Sequence, residues 1–183
     1  MINIDNIKYQ LITILGPTAS GKTKLAVKLA LKNNGEIISA DSRQIYKGMD
    51  IGTGKDLKEY NISNKQINYH LIDILDPIDN YSVYQFKNDF IEVYNDIKKN
   101  KKNPILCGGT GLYIESILLD YKMSHVKPNE KLRLSLDKLS KTELLNRFKS
   151  ISPIFYQNWK KDTKQRIIRG IEISIDKNRN NIS

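Results

Sequence analysis

The chain has 183 residues, with 30 Lys and Arg against 20 Asp and Glu, two His and a single Cys. This length suits one α/β domain with a small inserted subdomain and argues against a second full domain. The lone Cys107 excludes an internal disulfide and a cysteine-rich zinc site, which agrees with a reducing compartment. The early apolar run from Leu11 to Leu15 is too short for a signal peptide or a transmembrane helix. We therefore expect a cytoplasmic protein without a membrane anchor.

The formal net charge of +10 has two interpretations. Basic surface attracts the phosphate backbone of nucleic acids without any sequence readout. The chain also holds 24 Lys against 6 Arg, together with 27 Ile and 18 Asn, which is the bias that an AT-rich genome imposes on any protein. The charge therefore supports a nucleic-acid partner only where other residues already point to one.

Strands and helices are predicted to alternate over the first part of the chain. Apolar, β-branched runs predict buried parallel strands at residues 10–15, 37–40, 70–75 and 104–107. Amphipathic spacing predicts helices at residues 22–32, 82–99 and 111–119, with Ser82 placed to cap the second of them. Residues 48–68 are polar and contain glycine, so we expect mostly loop there. This order predicts an α/β, P-loop NTPase-like fold: a parallel sheet flanked by helices, with a phosphate site at the strand ends.

The chain divides into four predicted parts. Residues 1–120 form the P-loop core, and the lysine-rich residues 121–161, helical in pattern at 129–139 and 141–148, form a small helical insertion. Residues 162–176 carry an apolar stripe of isoleucines and are predicted to return to the core as a helix. Residues 177–183 have nothing to bury, so we expect a disordered tail.

The segment GPTASGKT matches the phosphate-loop pattern G-x-x-x-x-G-K-[ST], after a predicted strand and at the start of a predicted helix. Its backbone N–H groups and the helix dipole favour an anion, either a nucleotide such as ATP or another diphosphate. Lys22 supplies a positive charge for the phosphates, and the Thr23 hydroxyl is placed to ligate Mg²⁺. The alternative is a glycine-rich turn with no ligand. The predicted binding residues are Gly16, Pro17, Thr18, Ala19, Ser20, Gly21, Lys22 and Thr23.

Two further residues are candidates for chemistry. Asp41 follows a predicted strand and would emerge at the same sheet edge as the phosphate loop, where a carboxylate can orient or deprotonate a nucleophile. From spacing alone, a turn or cap carboxylate explains it equally well. Thr110 either caps the helix that follows it or donates a hydrogen bond into the cleft. The strand ending at Cys107 runs into Gly-Gly-Thr-Gly where a phosphate-loop hydrolase carries an acidic residue, which disfavours a γ-phosphate hydrolase.

Five blocks in the same order resemble the tRNA dimethylallyltransferases. They are GPTASGKT, SADSRQIYKGMDIGTGK (39–55), HLIDILDP (70–77), GGTGLYI (108–114) and KQRIIRGIEI (164–173). The resemblance covers nearly the whole chain and is thinnest between residues 121 and 162. It implies that the phosphate loop binds dimethylallyl diphosphate with Mg²⁺, and that the chain transfers the dimethylallyl group to N6 of an adenosine beside the tRNA anticodon. A flipped-out base is then expected.

The resemblance also assigns roles to individual residues. It implies that Asp41 holds the amine and accepts its proton, and that Thr110 contacts the target nucleotide. It further implies contacts to the anticodon stem-loop from Asp41, Ser42, Arg43, Gln44, Arg133, Gln165, Arg166 and Arg169. On the predicted last helix, the i, i+3 spacing of Arg166 and Arg169 allows both to face one way, as phosphate contacts or as an ordinary solvated face.

Alternatives to this activity stay open. Members of the family continue well past the block that ends at Ile173, so the chain is either a fragment or a compact member. A P-loop small-molecule kinase and a catalytically silent tRNA-binding remnant are the two competing functions. We expect a monomer.

Overall fold

The computed structural model describes residues 2–4, 7–62 and 64–180, and the side chains of residues 10–62 and 64–178. Two compact units, Met1–Lys122 and Met123–Ser183, separate in it, and each is described by itself. Within the described ranges, no helix combines the length and the apolar character needed to cross a membrane.

The first unit contains the strands and three of the helices. The strands are β1 (Ile2–Ile4), β2 (Ile7–Tyr9), β3 (Ile12–Leu15), β4 (Gly35–Ser39), β5 (Asn61–Ile62), β6 (Lys65–Gln66), β7 (Tyr69–His70) and β8 (Asn103–Gly108). Its helices are α1 (Lys22–Lys32), α2 (Val83–Lys99) and α3 (Gly111–Leu118), with a 3-10 turn at Leu57–Tyr60. The second unit contains α4 (Glu130–Asp137), α5 (Lys141–Ile151), α6 (Pro153–Asn158) and α7 (Lys164–Asn180).

A parallel sheet with the strand order β3-β8-β4-β7 organises the first unit. Side chains alternate across it, as the pleat requires. Ile37 and Ile105 lie on the face packed by α1, whereas Ile38 and Leu106 lie on the face packed by α2 and α3. Both faces are therefore covered, and the predicted α/β fold with a flanked parallel sheet is confirmed. Two short antiparallel pairs, β1 with β2 and β5 with β6, lie outside this sheet.

The predicted third strand at 70–75 is wrong in its length. Only Tyr69 and His70 pair with β4. Leu71 and Asp73 then adopt left-handed conformations, with φ of 61° and 55°, which an extended strand cannot contain. The N–H groups of Asp73 and Ile74 donate instead to the carbonyls of Gln44 and Ile45, so the chain turns across the end of the sheet.

Helix α2 begins where the sequence predicts. Ser82 accepts a hydrogen bond from the Gln85 N–H, and the Gln85 side chain accepts one from the Ser82 N–H. This reciprocal capping box satisfies two N–H groups that the first turn of a helix leaves without partners. The helix buries Phe86, Phe90 and Tyr94 against the sheet.

The second unit has its own apolar core. Ile167, Ile168 and Ile171 of α7 pack with Leu136 of α4 and with Leu144 and Phe148 of α5. The sequence predicts that this last helix returns to the P-loop core; in the structure its isoleucine stripe packs with α4 and α5 of its own unit. Helices α4 and α5 each present an apolar face that must be buried, and the isoleucine stripe of α7 buries both.

Helix α7 also approaches its neighbours closely. A Cβ on Gly170 would lie 2.5 Å from the Phe148 ring, so only glycine fits there. The helix continues to Asn180, so the predicted disordered tail is wrong for residues 177–180. The rest of that predicted tail, residues 181–183, lies outside the described residues.

Candidate active site

The phosphate loop joins β3 to α1 through two left-handed residues. Ala19 has a φ of 61°, and Gly21, the residue before α1, has a φ of 78°. These conformations curl the backbone so that the loop enters α1 at Lys22, the first helical residue. The first-turn N–H groups of a helix have no partners within it, and they carry the positive end of the helix dipole. The loop thus has the local structure that binds a phosphate group.

Lys22 directs its charge back over this loop. Its ammonium group donates to the Pro17 carbonyl at 2.5 Å. The same charge acts on Cys107 at the end of β8: burial raises the pKa of that thiol to about 11, although the nearby Lys22 lowers it. Cys107 is therefore a neutral thiol at physiological pH.

A cavity of about 380 Å³ opens above these strand ends. This volume lies at the lower end of the range of small-ligand sites. The phosphate loop forms one side, Asp41 and Gln44 follow β4, and Cys107 and Gly108 end β8. The remaining lining residues are Lys24, Thr53, Gly54, Asp56, Glu59 and Tyr60. The carboxyl ends of the strands, where the sequence predicts a phosphate site, thus open onto this cavity.

Asp41 takes part in a turn and also lines the cavity. One carboxylate oxygen, Oδ1, accepts a hydrogen bond from the Arg43 N–H at 3.0 Å, and the Asp41 carbonyl accepts one from the Gln44 N–H. These bonds form a tight turn that fixes the carboxylate. Asp41 also lines the cavity, and no hydrogen bond to its Oδ2 is found among the described residues. A fixed carboxylate with an available oxygen beside a phosphate loop can accept a proton.

Thr110 has a role that neither sequence interpretation anticipated. It precedes α3, yet its side chain makes no cap hydrogen bond. Its Oγ1 instead accepts from the Ser42 N–H at 2.9 Å and donates to the Ser42 Oγ at 3.3 Å. The Thr110 N–H donates to the Ala40 carbonyl, which adds a second link. Thr110 therefore fixes the turn that carries Asp41.

Gln44 connects this turn to a second wall of the cavity. Its side-chain oxygen accepts from Ser39 Oγ at 3.0 Å, and its side-chain nitrogen donates to the Gly54 carbonyl at 3.2 Å. Ser42 and Gln44 thus lie together with Asp41 and Thr110, while Arg43 is exposed. Gly54 and Thr53 belong to the glycine-containing loop that was predicted only as a loop.

Lys55 anchors that loop. Its side chain has no exposed area, and its ammonium donates to the Tyr46 carbonyl at 2.8 Å, to Asp50 at 3.0 Å and to Asp73 at 2.5 Å. Burial lowers the pKa of Lys55, but the bonds to Asp73 and Asp50 raise it more, so the net change is upward. The group stays charged. In the sequence, Lys55 was marked only by its place in the GTGK stretch. Its ion pair could not be predicted, because the partner Asp73 lies 18 residues away.

Tyr60 lines the cavity but was not predicted as a site residue from the sequence. It is buried at the cavity, tilted against Tyr69 with ring centroids 4.5 Å apart, and burial raises the pKa of its phenol. No local pattern marks it, because its burial depends on residues from several elements.

The arginines assigned to RNA in the second unit are engaged in ion pairs. Arg133 and Arg169 both bind the buried carboxylate of Glu172, and Arg166 binds Asp162 one turn earlier on the chain. Arg166 remains half exposed, and Gln165 is exposed. The three arginines can therefore contact RNA only through the N–H groups that these ion pairs leave free.

The comparisons with known proteins place these features in a family. A family model described as IPP transferase matches residues 44–183. The chain belongs to the IPP transferase family. The tRNA dimethylallyltransferase 1 of Parabacteroides distasonis is 55% identical over 90% of this chain and 53% of its own length. The tRNA dimethylallyltransferase 2 of Phocaeicola vulgatus is 53% identical over 91% of this chain and 54% of its own length. The chain thus spans about half the length of the curated relatives it matches.

Solved structures agree with this membership. A eukaryotic dimethylallyltransferase acting on tRNA gives a TM-score of 0.73 with 26% identity, over 93% of this chain and 44% of that one. The full-length tRNA isopentenylpyrophosphate transferase of Bacillus halodurans gives a TM-score of 0.60 with 34% identity, over 91% of this chain and 55% of that one. Relatives of known structure therefore share both the family and the fold of this chain.

Proposed function

We propose that this chain binds dimethylallyl diphosphate and transfers its dimethylallyl group to N6 of an adenosine beside the anticodon of tRNA, in the cytoplasm. The observation that carries the proposal is that the phosphate loop and Asp41 line one cavity. Family membership supports it, since relatives named tRNA dimethylallyltransferase align over most of this chain.

The phosphate loop is suited to hold a diphosphate leaving group. The N-terminus of α1 and the Lys22 ammonium supply positive potential where negative charge develops as the group departs. Fixed donors of this kind need no rearrangement during the reaction, which is the main source of electrostatic catalysis.

The donor set is also suited to Mg²⁺. In the described part of the chain, no group of three or more His, Cys, Asp or Glu side chains could hold a metal by itself. Mg²⁺ prefers few protein ligands together with waters and phosphate oxygens, so the Thr23 hydroxyl at the start of α1 fits its needs. When bound, the ion would neutralise charge on the diphosphate.

Asp41 supplies the proton acceptor. In the transfer, the bond between the dimethylallyl C1 and the diphosphate oxygen breaks, and a bond from the adenine N6 to C1 forms. The N6 proton passes to the Asp41 carboxylate, whose position is fixed by the Arg43 N–H. Thr110 acts on this step by holding the turn through Ser42.

The charge distribution favours an RNA substrate. Residues 123–183 carry 14 Lys and Arg against 6 Asp and Glu, whereas residues 1–122 carry 16 against 14. Most of the net charge therefore belongs to the helical unit, which is the pattern of a phosphate-backbone contact surface. Gln165, Arg166, Arg169 and Arg133 belong to this unit, and we propose that it contacts the anticodon stem-loop.

Calorimetric titration separates this function from that of a kinase. If the proposal holds, dimethylallyl diphosphate with Mg²⁺ should bind at least about tenfold more tightly than ATP with Mg²⁺. Tighter binding of ATP, with no displacement by dimethylallyl diphosphate, would overturn the proposal in favour of a kinase.

A further inference from the structure

A buried carboxylate organises the basic helical unit. Glu172 lies on α7 with only 2% of its side chain exposed. It accepts hydrogen bonds from the Asn129 N–H at 2.6 Å, from Arg133 Nε at 3.0 Å and Nη2 at 2.8 Å, and from Arg169 Nη1. Burial raises the pKa of Glu172, but the bonds from Arg133, Asn129 and Arg169 lower it more, so the group is ionised.

These bonds bring two arginines together. Arg133 Nη2 and Arg169 Nη1 bind the same oxygen, Oε2, so the two guanidinium groups lie side by side. Without the carboxylate, two positive groups this close would repel each other and separate. Arg169 Nη2 also donates to the Val126 carbonyl at 2.7 Å, which fixes its plane relative to the segment before α4.

The pair keeps both charge and donors for a further anion. Two guanidinium groups and one carboxylate leave a single positive charge, which matches the charge of one phosphodiester. The side chains of Arg133 and Arg169 are 42% and 27% exposed. Arg133 uses Nε and Nη2, and Arg169 uses Nη1 and Nη2, so Arg133 Nη1 and Arg169 Nε have no bond among the described residues.

We propose that Glu172 is a positioning residue that holds Arg133 and Arg169 as a fixed pair for one backbone phosphate of the RNA substrate. This inference rests on the proposed function, since it assumes that the helical unit binds tRNA. Guanidinium groups held in place lose little side-chain entropy on binding, and their planar donors match phosphate oxygens.

The substitution Glu172→Gln tests the inference through the sign of its effect. It removes a negative charge from a basic unit, so electrostatics alone predicts tighter tRNA binding. If Glu172 positions the arginines, binding weakens instead, by about tenfold at physiological salt, because one phosphate contact is lost. The slope of log affinity against log salt should become shallower by about one.

Glu130→Gln is the matched control. Glu130 is exposed on α4 in the same unit, so this variant makes the same change of charge without touching the arginine pair. It should bind tRNA as tightly as the wild type or up to about twofold more tightly. Affinities would be measured by fluorescence anisotropy with labelled tRNA, on proteins whose circular dichroism spectra match.

Arg133→Lys keeps the test decisive if Glu172→Gln fails to fold. It retains the charge but cannot make the bidentate contact with Glu172, so we expect weaker tRNA binding at unchanged charge. Unchanged binding in Arg133→Lys, or equal effects of the Glu172 and Glu130 changes, would overturn the inference while leaving the proposed function intact. A wild-type chain that does not bind tRNA would overturn both.

Discussion

The hydroxyl of Thr110 accepts a hydrogen bond from the backbone N–H of Ser42 at 2.9 Å and thereby ties the turn after β8 to the turn after β4. The two residues are 68 positions apart in the sequence. Asp41 belongs to the second of these turns, so the position of its carboxylate depends on Thr110. A residue expected to cap a helix or to face the cleft thus supports the candidate proton acceptor.

Thr110→Val should lower the rate of prenyl transfer by about tenfold, because the Ser42 N–H loses its partner and the Asp41 turn loosens. Thr110→Ser keeps the hydroxyl and should retain most of the rate. Both would be measured as kcat with saturating substrates. Equal rates for the Val and Ser variants would contradict the tethering role.

Substitutions of Lys22 and Asp41 should affect donor binding and group transfer separately. Lys22→Ala should reduce the affinity for dimethylallyl diphosphate at least about a hundredfold, because the phosphate loop loses its positively charged side chain. Asp41→Asn should leave that affinity within about threefold and lower the transfer rate by about 10²–10⁴-fold, because the amide cannot accept the proton. Calorimetry and product formation measure the two effects, and a similar loss of affinity in both variants would refute the division of roles.

Lys55→Met should destabilise the first unit by about 2 kcal/mol, because Asp73 and the Tyr46 carbonyl lose a buried partner. Urea unfolding followed by circular dichroism measures this change. Lys58→Met removes an exposed lysine of the neighbouring 3-10 turn and should change the unfolding free energy by less than about 0.5 kcal/mol. A Lys55 variant as stable as the Lys58 control would show that the loop does not need this anchor.

Glu36 should make stability depend on acid pH. Burial raises the pKa of this carboxyl, but hydrogen bonds from Lys102, His70 and Asn68 lower it more, to about 2 from the ordinary 4.5. The folded pKa is depressed, so the contribution is complete above pH 4.5 and is lost as the pH falls towards 2. Its size is about 3 kcal/mol.

The matched protein for this measurement is Glu36→Gln. Other carboxylates titrate in both proteins, so the difference in unfolding free energy between them isolates Glu36. That difference should be constant above pH 4.5 and shrink as the pH falls towards 2. A difference that stays constant down to pH 2 would show that the carboxylate is not stabilised by its partners.

Local patterns predicted much of the first unit. The phosphate loop, α1 and the α2 cap depend on residues a few positions apart, so their sequence alone specifies them. The approach of Asp41 to the loop also followed, because parallel strands end at one edge of a sheet. The contacts that fix the site did not follow, since Thr110 with Ser42 and Lys55 with Asp73 join distant segments.

Helix α7 shows why the packing and ion pairs of the second unit were not predicted. An isoleucine stripe shows that a face is buried, yet it does not name the surface that buries it. The stripe of α7 packs with Leu136, Leu144 and Phe148. The same limit applies to Arg133 and Arg169, whose spacing gave no sign that Glu172 binds both.

The most direct test of the central claim is product analysis. The purified chain would be incubated with labelled dimethylallyl diphosphate, Mg²⁺ and unmodified tRNA, and the digested nucleosides separated. We expect labelled N6-dimethylallyl adenosine with the wild type, formed about 10²–10⁴-fold more slowly with Asp41→Asn. Absence of labelled nucleoside with the wild type, under conditions where dimethylallyl diphosphate and tRNA both bind, would contradict the assignment of transfer to this chain.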